Sequence, residues 1–323
     1  MRKECTLVAT IPALSNMIKV NKVITEPNVA ELRFNTGSRS PFSPKETIRR
    51  LLWLAKQNNK KLWIDIKGRQ LRVNAWADPL YECVTLNHTI KVDLPAKMVF
   101  RSGYSSEISH IDGNFVFLSE PPREALGKGQ SVNIFGDNLI ITDGYLTNLD
   151  KEYLRAIKEL CIDKDLKDDK FSIEDVHIMA SYVETQEDLN AICNALGIEN
   201  IQDIECCSKI ESIKGLDLVC SGYFGNFVNS RIMAARDDLY TELRHEYSKM
   251  KEALILIHHF DSSSICASRI FTSLENNPIP ALSEYEDLEI MYQIGYRYFM
   301  LSDGVCNYAF DRAIKAWEEF INA

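Results

Sequence analysis

Ser208-Lys209-Ile210-Glu211 and, shortly after it, Ile232-Met233-Ala234-Ala235-Arg236-Asp237-Asp238-Leu239 are apolar, strand-like stretches that end in charge. Residues two apart in a strand share a face, so Lys209 and Glu211 point one way and Ile210 the other. Parallel strands of α/β proteins are covered on both faces. They carry charge chiefly at their carboxyl ends, where barrel and doubly wound enzymes place their chemistry. Taken alone, the motif is equally readable as a surface ion pair at a strand end.

Working outward, strand-like and helical segments alternate along the chain, the pattern of a parallel α/β architecture. Eight strands are expected, at 6–11, 29–34, 62–66, 176–183, 205–210, 231–235, 264–267 and 298–301. Helical stretches are expected at 43–57, 184–196, 239–260, 283–294 and 307–321. The count predicts a (β/α)8 TIM barrel that closes with the last helix. One interval breaks the alternation: residues 74–136 hold short β-like runs such as Thr89–Leu94 and Asn114–Leu118, with turns at Asp112-Gly113 and Gly127-Lys128-Gly129. The expected organisation is therefore a barrel over 1–73 and 137–323 with a small β-barrel-like domain, 74–136, inserted after the third strand as a lid.

Composition narrows the function classes. The chain of 323 residues has 46 Asp and Glu against 37 Lys and Arg, a formal net charge of -9, and no dense basic stripe, so nucleic acid is not an expected partner. No apolar run suits a membrane span or a signal peptide, and a cytoplasmic protein is expected. The nine cysteines contain no CxxC pair and read as reduced, buried side chains, with Cys206-Cys207 inside a strand. Trp53 and Trp63 read as core residues, His258-His259 as a packed pair more than a metal pair, and Asp163 through Lys170 as a solvated loop or helix end.

In order along the chain, several stretches resemble the pyruvate kinase family. Val8-Ala9-Thr10-Ile11 is similar to its opening strand, Asn28 through Gly37 to its second strand and following loop, and Leu62 through Arg72 to its third. Val132 through Gly136 and Leu149-Asp150-Lys151-Glu152 resemble the return from the inserted domain. Ser208 through Glu211, Ile232 through Leu239, Ile265-Cys266-Ala267-Ser268 and Met300-Leu301-Ser302 are the strongest matches. The resemblance implies phosphoryl transfer between phosphoenolpyruvate and ADP. It places Lys209 at the transferred group, Glu211 and Asp238 on a divalent cation, Mg2+ or Mn2+, and Ser268 near the enolate carbon. It further implies a phosphate contact at Arg72, a proton-relay role for Ser302, and a nucleotide-side lysine at Lys151. The family's C-terminal regulatory domain has no expected counterpart, and a homo-oligomer is compatible with the sequence.

The departures are specific. Where the family has an arginine in its second strand this chain has Glu31, and the same-face positions that are asparagine and serine in the family are Arg33 and Asn35. Those positions, with Asp65-Ile66, form the family's monovalent-cation site; Arg33 could fill the potassium position with its own charge, and potassium independence is expected. Asp237 and Tyr240 replace two glycines beside the metal aspartate, and a second carboxylate there disfavours an anionic substrate unless the metal or Arg33 offsets it. Two other functions follow from these changes: a metal-dependent lyase or decarboxylase acting on a 2-oxo acid through an enolate, or a non-catalytic binding protein. Retained charges at Lys209, Glu211, Asp238 and Arg72 argue against the last.

Overall fold

The computed structural model describes residues 2, 4–38, 40–100, 103–163, 170–226 and 229–323. The chain divides into two compact units, one formed by Met1–Ile66 with Leu149–Ala323 and the other by Lys67–Asn148.

The larger unit is built on eight parallel strands closed into a barrel. They are β1 (Thr6–Thr10), β2 (Val29–Asn35), β3 (Lys61–Ile66), β4 (His177–Ala180), β5 (Cys206–Ile210), β6 (Ser230–Ala235), β7 (Ile265–Ala267) and β8 (Tyr298–Leu301). β8 pairs with β1, Val8 opposite Met300, which closes the ring. The strands are almost wholly buried, as a sheet covered on both faces requires. The helices are α1 (Met17–Thr25), α2 (Pro44–Gln57), α3 (Asn148–Ile157), α4 (Gln186–Leu196), α5 (Ile213–Cys220), α6 (Arg236–Glu242), α7 (Tyr247–Phe260), α8 (Leu282–Ile294), α9 (Asp303–Tyr308) and α10 (Phe310–Asn322). Local sequence sets their ends: Ser43 caps α2 through the Glu46 amide ahead of Pro44, and Gly197 stops α4 in the left-handed region at φ 73.

Inside the barrel, every second residue of each strand points inward, and these residues fall into layers. The middle layer is apolar, with Val8, Trp63, Met179, Cys207, Met233, Ile265 and Met300 packed together. Two residues toward the amino ends lies a charged layer. Arg231 Nη1 donates to both oxygens of Glu31 at 3.1 Å, and Trp63 Nε1 donates to the same carboxylate at 2.7 Å. Glu31 is therefore partnered on both oxygens, below the mouth of the barrel. Two residues toward the carboxyl ends lies the second polar layer, with Thr10, Arg33, Asp65, Ser181 and Lys209.

The smaller unit carries a five-stranded antiparallel sheet in the order Cys83–Thr85, Phe115–Leu118, Ser105–Asp112, Ala96–Phe100, Val132–Phe135. A two-stranded ribbon pairs Ile90–Lys91 with Ile140–Ile141. Bridges from Arg72 to Ser131 and from Val73 to Leu86 join one segment to the ends of both edge strands, which gives the sheet its barrel-like character. Its core, including Leu71, Val84, Met98, Val116 and Ile134, is its own. The unit begins earlier and ends later than the 74–136 expected, because Leu71 and Val73 pack into this core and the ribbon's second strand lies beyond Gly136.

Three expectations change. The stretch 239–260 is two helices, broken where Arg244 and His245 take left-handed backbone at φ 54 and 60. Likewise 307–321 contains the junction of α9 and α10 at Ala309. Trp53 lies on the outer face of α2 and is 52% exposed, whereas Trp63 is buried in the barrel. The charged run 163–170 falls, from 164 to 169, outside the described residues.

The lower charged layer is testable by mutation. Arg231→Met leaves Glu31 buried without its cation and should cost about 3–5 kcal/mol in urea unfolding, whereas Glu31→Gln with Arg231→Met should cost clearly less than the two single losses summed. Strict additivity would contradict the pairing. In the same layer burial, more than the opposing pull of Glu205, pushes His177 down to about 4. The folded chain keeps it neutral where an unfolded histidine takes up a proton, so this contribution is full above about pH 6.5 and is lost as pH falls toward 4. His177→Gln should flatten the acid side of the stability curve in that window; an unchanged slope would refute the assignment.

Candidate active site

Four strand ends meet around one carboxylate. Asp65, at the end of β3, is fully buried. Arg33 of β2 grips it through Nε at 2.8 Å and through a second short contact from Nη2. Ser181, just past β4, donates to Asp65 Oδ1 at 3.2 Å, and the Lys209 ammonium of β5 stands 3.7 Å from the same oxygen. Lys209 Nζ also donates to Ser181 Oγ at 2.9 Å and pairs with Glu211 at 2.9 Å. Burial alone would lower the Lys209 pKa, but Asp65 and Glu211 together outweigh it and the net direction is upward. The ammonium is thus charged and fixed in orientation by two acceptors, Ser181 and Glu211, with Asp65 close by, a preorganised cation of the kind that stabilises developing negative charge.

Glu211 is equally constrained. Its second oxygen accepts the Tyr182 backbone amide at 2.7 Å. Tyr182 reaches that geometry in left-handed backbone, φ 51, a conformation that costs a non-glycine residue on the order of 1–3 kcal/mol. Its hydroxyl is held well above the usual tyrosine range by burial and then by Asp238, Glu211, Glu242 and Glu184. Asp238, in the first turn of α6 and partly exposed, and Glu211 therefore bear on the same tyrosine. Hard carboxylate oxygens of this kind suit Mg2+ or Mn2+. No group of three His, Cys, Asp or Glu side chains able to hold a metal occurs among the described residues, so a cation on Glu211 and Asp238 would draw its remaining ligands from substrate and water.

The other expected residues fall as follows. Arg33 Nη1 also donates to Thr10 at 3.0 Å and to Asp303 at 2.9 Å, and Asn35 donates to Asp303 at 3.2 Å, so both belong to the Asp65 network. The Ile66 carbonyl accepts the Ser181 amide. Ser302 caps α9 through the Val305 amide at 3.2 Å and lies 3.4 Å from Glu275. Ser268 follows β7 in left-handed backbone, φ 70. Lys151 is exposed on α3. Arg72 belongs to the smaller unit, where Gln70 and the Gly129 carbonyl accept from its guanidinium. Asp237, expected to crowd the site, is exposed and paired with Arg269 at 2.7 Å.

Sequence reading assigned no role to Ser181, Tyr182, Asp303 or Arg236. Arg236 is buried at the end of β6, donating to the Ala267 carbonyl at 3.0 Å, to the Ser268 carbonyl and to Asp287 at 2.7 Å. It binds the end of β6 to the turn that carries Ser268. An arginine directly after an apolar strand and before two aspartates was the available signal. Ser181 and Tyr182 carried none, since their importance arises from partners 28 and 29 residues away.

The family model "Pyruvate kinase, barrel domain" matches residues 154–311. Pyruvate kinase 2 of Saccharomyces cerevisiae is 37% identical over 134 residues, 39% of this chain and 25% of that protein. Pyruvate kinase of Methanocaldococcus jannaschii is 25% identical over 311 residues, 94% of this chain and 65% of its own length. That of Sporosarcina psychrophila is 25% identical over 309 residues, 89% of this chain and 51% of its length. The chain thus spans between a quarter and just under two thirds of these relatives. With eight parallel strands closed in register and the matched stretches at their carboxyl ends, the barrel of this chain is similar to the pyruvate kinase barrel domain over residues 154–311.

Proposed function

We propose that this chain is a pyruvate kinase-like phosphotransferase of the cytoplasm, moving a phosphoryl group between phosphoenolpyruvate and ADP to give pyruvate and ATP. The observation that carries the reading is the buried Lys209 ammonium fixed by Asp65, Ser181 and Glu211, because phosphoryl transfer rests on positioning and charge neutralisation. Lys209 would face the transferred group. Glu211 and Asp238 would hold Mg2+, or Mn2+, which when bound polarises the substrate oxygens it contacts. Ser268 and Ser302 would handle the proton at the enolate carbon, Arg72 would contact phosphate and Lys151 the nucleotide.

Carbon–carbon bond chemistry on a 2-oxo acid, through an enolate, is the second reading. Arg33 favours it: its donors go to Thr10, Asp65 and Asp303, which draws a guanidinium at the mouth toward protein carboxylates and away from a nucleotide. Phosphorus NMR of phosphoenolpyruvate with ADP and Mg2+ separates the two. The phosphotransferase reading predicts ATP and pyruvate from wild-type protein and at least a hundredfold slower conversion with Lys209→Met, in line with the loss of one preorganised charge. A spectrum that stays unchanged with wild-type protein shown to bind Mg2+ would remove that reading.

Arg33 also carries the expected potassium independence. Its guanidinium on Asp65 supplies the fixed positive charge a monovalent cation would otherwise bring. Turnover measured in KCl and in tetramethylammonium chloride at equal ionic strength should agree, and Arg33→Asn should make it potassium-dependent. A wild-type enzyme that needs K+ would contradict this role.

A further inference from the structure

The ends of β6 and β7 hold a polar arrangement that the chemistry above leaves unused. Ala235 and Ala267 are register partners, so the chain leaves the two strands side by side. Two residues beyond each, Arg269 Nε donates to Asp237 Oδ1 at 2.7 Å. The guanidinium lies 5.0 Å from the centre of the Tyr240 ring, and His245 braces that ring edge-on at 5.0 Å. Arg269 follows Ser268, and both take left-handed backbone, φ 61 and 70. Non-glycine residues hold such angles only where the surroundings impose them. Arg236 donates to the Ala267 and Ser268 carbonyls of this turn.

Asp237 occupies one edge of the guanidinium and Tyr240 one face, and the side chain is still 52% exposed. A guanidinium held in this way keeps its two terminal amino groups for a second, planar anion, and arginine captures carboxylates bidentately. Its neighbours define what that anion belongs to. Asp237 immediately precedes the metal carboxylate Asp238, and Ser268 immediately precedes Arg269, so the cation shares its two strand ends with the reacting groups.

We propose that Arg269 is a specificity-determining residue that receives a second carboxylate of the substrate, so that the site favours a 2-oxo dicarboxylate over a 2-oxo monocarboxylate. This rests on the reading that Glu211 and Asp238 hold a metal-bound 2-oxo acid. In the absence of ligand Asp237 balances the arginine's charge; the incoming carboxylate engages the other edge of the fork.

Calorimetric titration in the presence of Mg2+ with pyruvate and with freshly dissolved oxaloacetate tests the assignment on wild-type protein, Arg269→Met and Arg269→Lys. The wild-type chain should bind the dicarboxylate about tenfold more tightly, as expected for one charge-assisted bidentate contact. Arg269→Met should erase the preference, while Arg269→Lys, with the charge but without the fork, should retain part of it. A preference that survives in Arg269→Met, or none in wild-type protein that binds pyruvate, would overturn the role of Arg269. Absence of Mg2+-dependent pyruvate binding would overturn the 2-oxo acid reading beneath it, and the proposal with it.

Discussion

The Asp65 carboxylate is the constraint around which the upper half of the barrel is organised. It has no exposed surface, and a buried carboxylate without cations is costly enough that the surrounding strands must deliver them. Arg33 comes from β2, Lys209 from β5 and Ser181 from the end of β4, so one anion sets the relative positions of four strand ends. Because Lys209 in turn pairs with Glu211, whose other oxygen takes the Tyr182 amide, the same constraint fixes a charged lysine and a carboxylate beside each other. Reorganisation that water would have to supply during a reaction is already built into the fold.

The exchange of charge along β2 has a simple geometric account. Glu31 and Arg33 both point inward, two residues apart, and flank the apolar layer of the barrel interior, to which β2 contributes no residue. The acid falls in the lower layer, where Arg231 and Trp63 receive it, and the base in the upper layer, where Asp65 and Asp303 receive it. Opposite charges two residues apart on β2 are thus compatible with folding because each has a matched partner in its own layer. At the rim the same logic holds for Asp237, whose added charge is met by Arg269.

The barrel was readable because its signal is local. Apolar strands of three to seven residues alternate with amphipathic helices, and all eight expected strands fall within three residues of those observed. Charge at strand ends was readable for the same reason, which is how Lys209, Glu211 and Asp238 stood out. Pairings were not readable: Arg231 and Glu31 are 200 residues apart, Arg33 and Asp303 are 270 apart. Hence Asp237 looked like an uncompensated charge, and Ser181 and Asp303 looked like ordinary polar residues. The break after α6 was hidden because Arg244 and His245 are residue types that ordinary helices accept, and only tertiary packing holds them left-handed.

In the proposed reading, Glu211 and Asp238 hold one divalent cation together with a 2-oxo acid or its enolate analogue. Electron paramagnetic resonance of Mn2+ with oxalate present reads this directly, and Asp238→Asn is the informative variant because its side chain is partly exposed and its loss spares the buried network. One Mn2+ bound per chain in the wild type, with affinity reduced at least tenfold in the variant and oxalate no longer altering the spectrum, is the predicted result. Equal Mn2+ binding by both proteins, or none in the wild type, would contradict it.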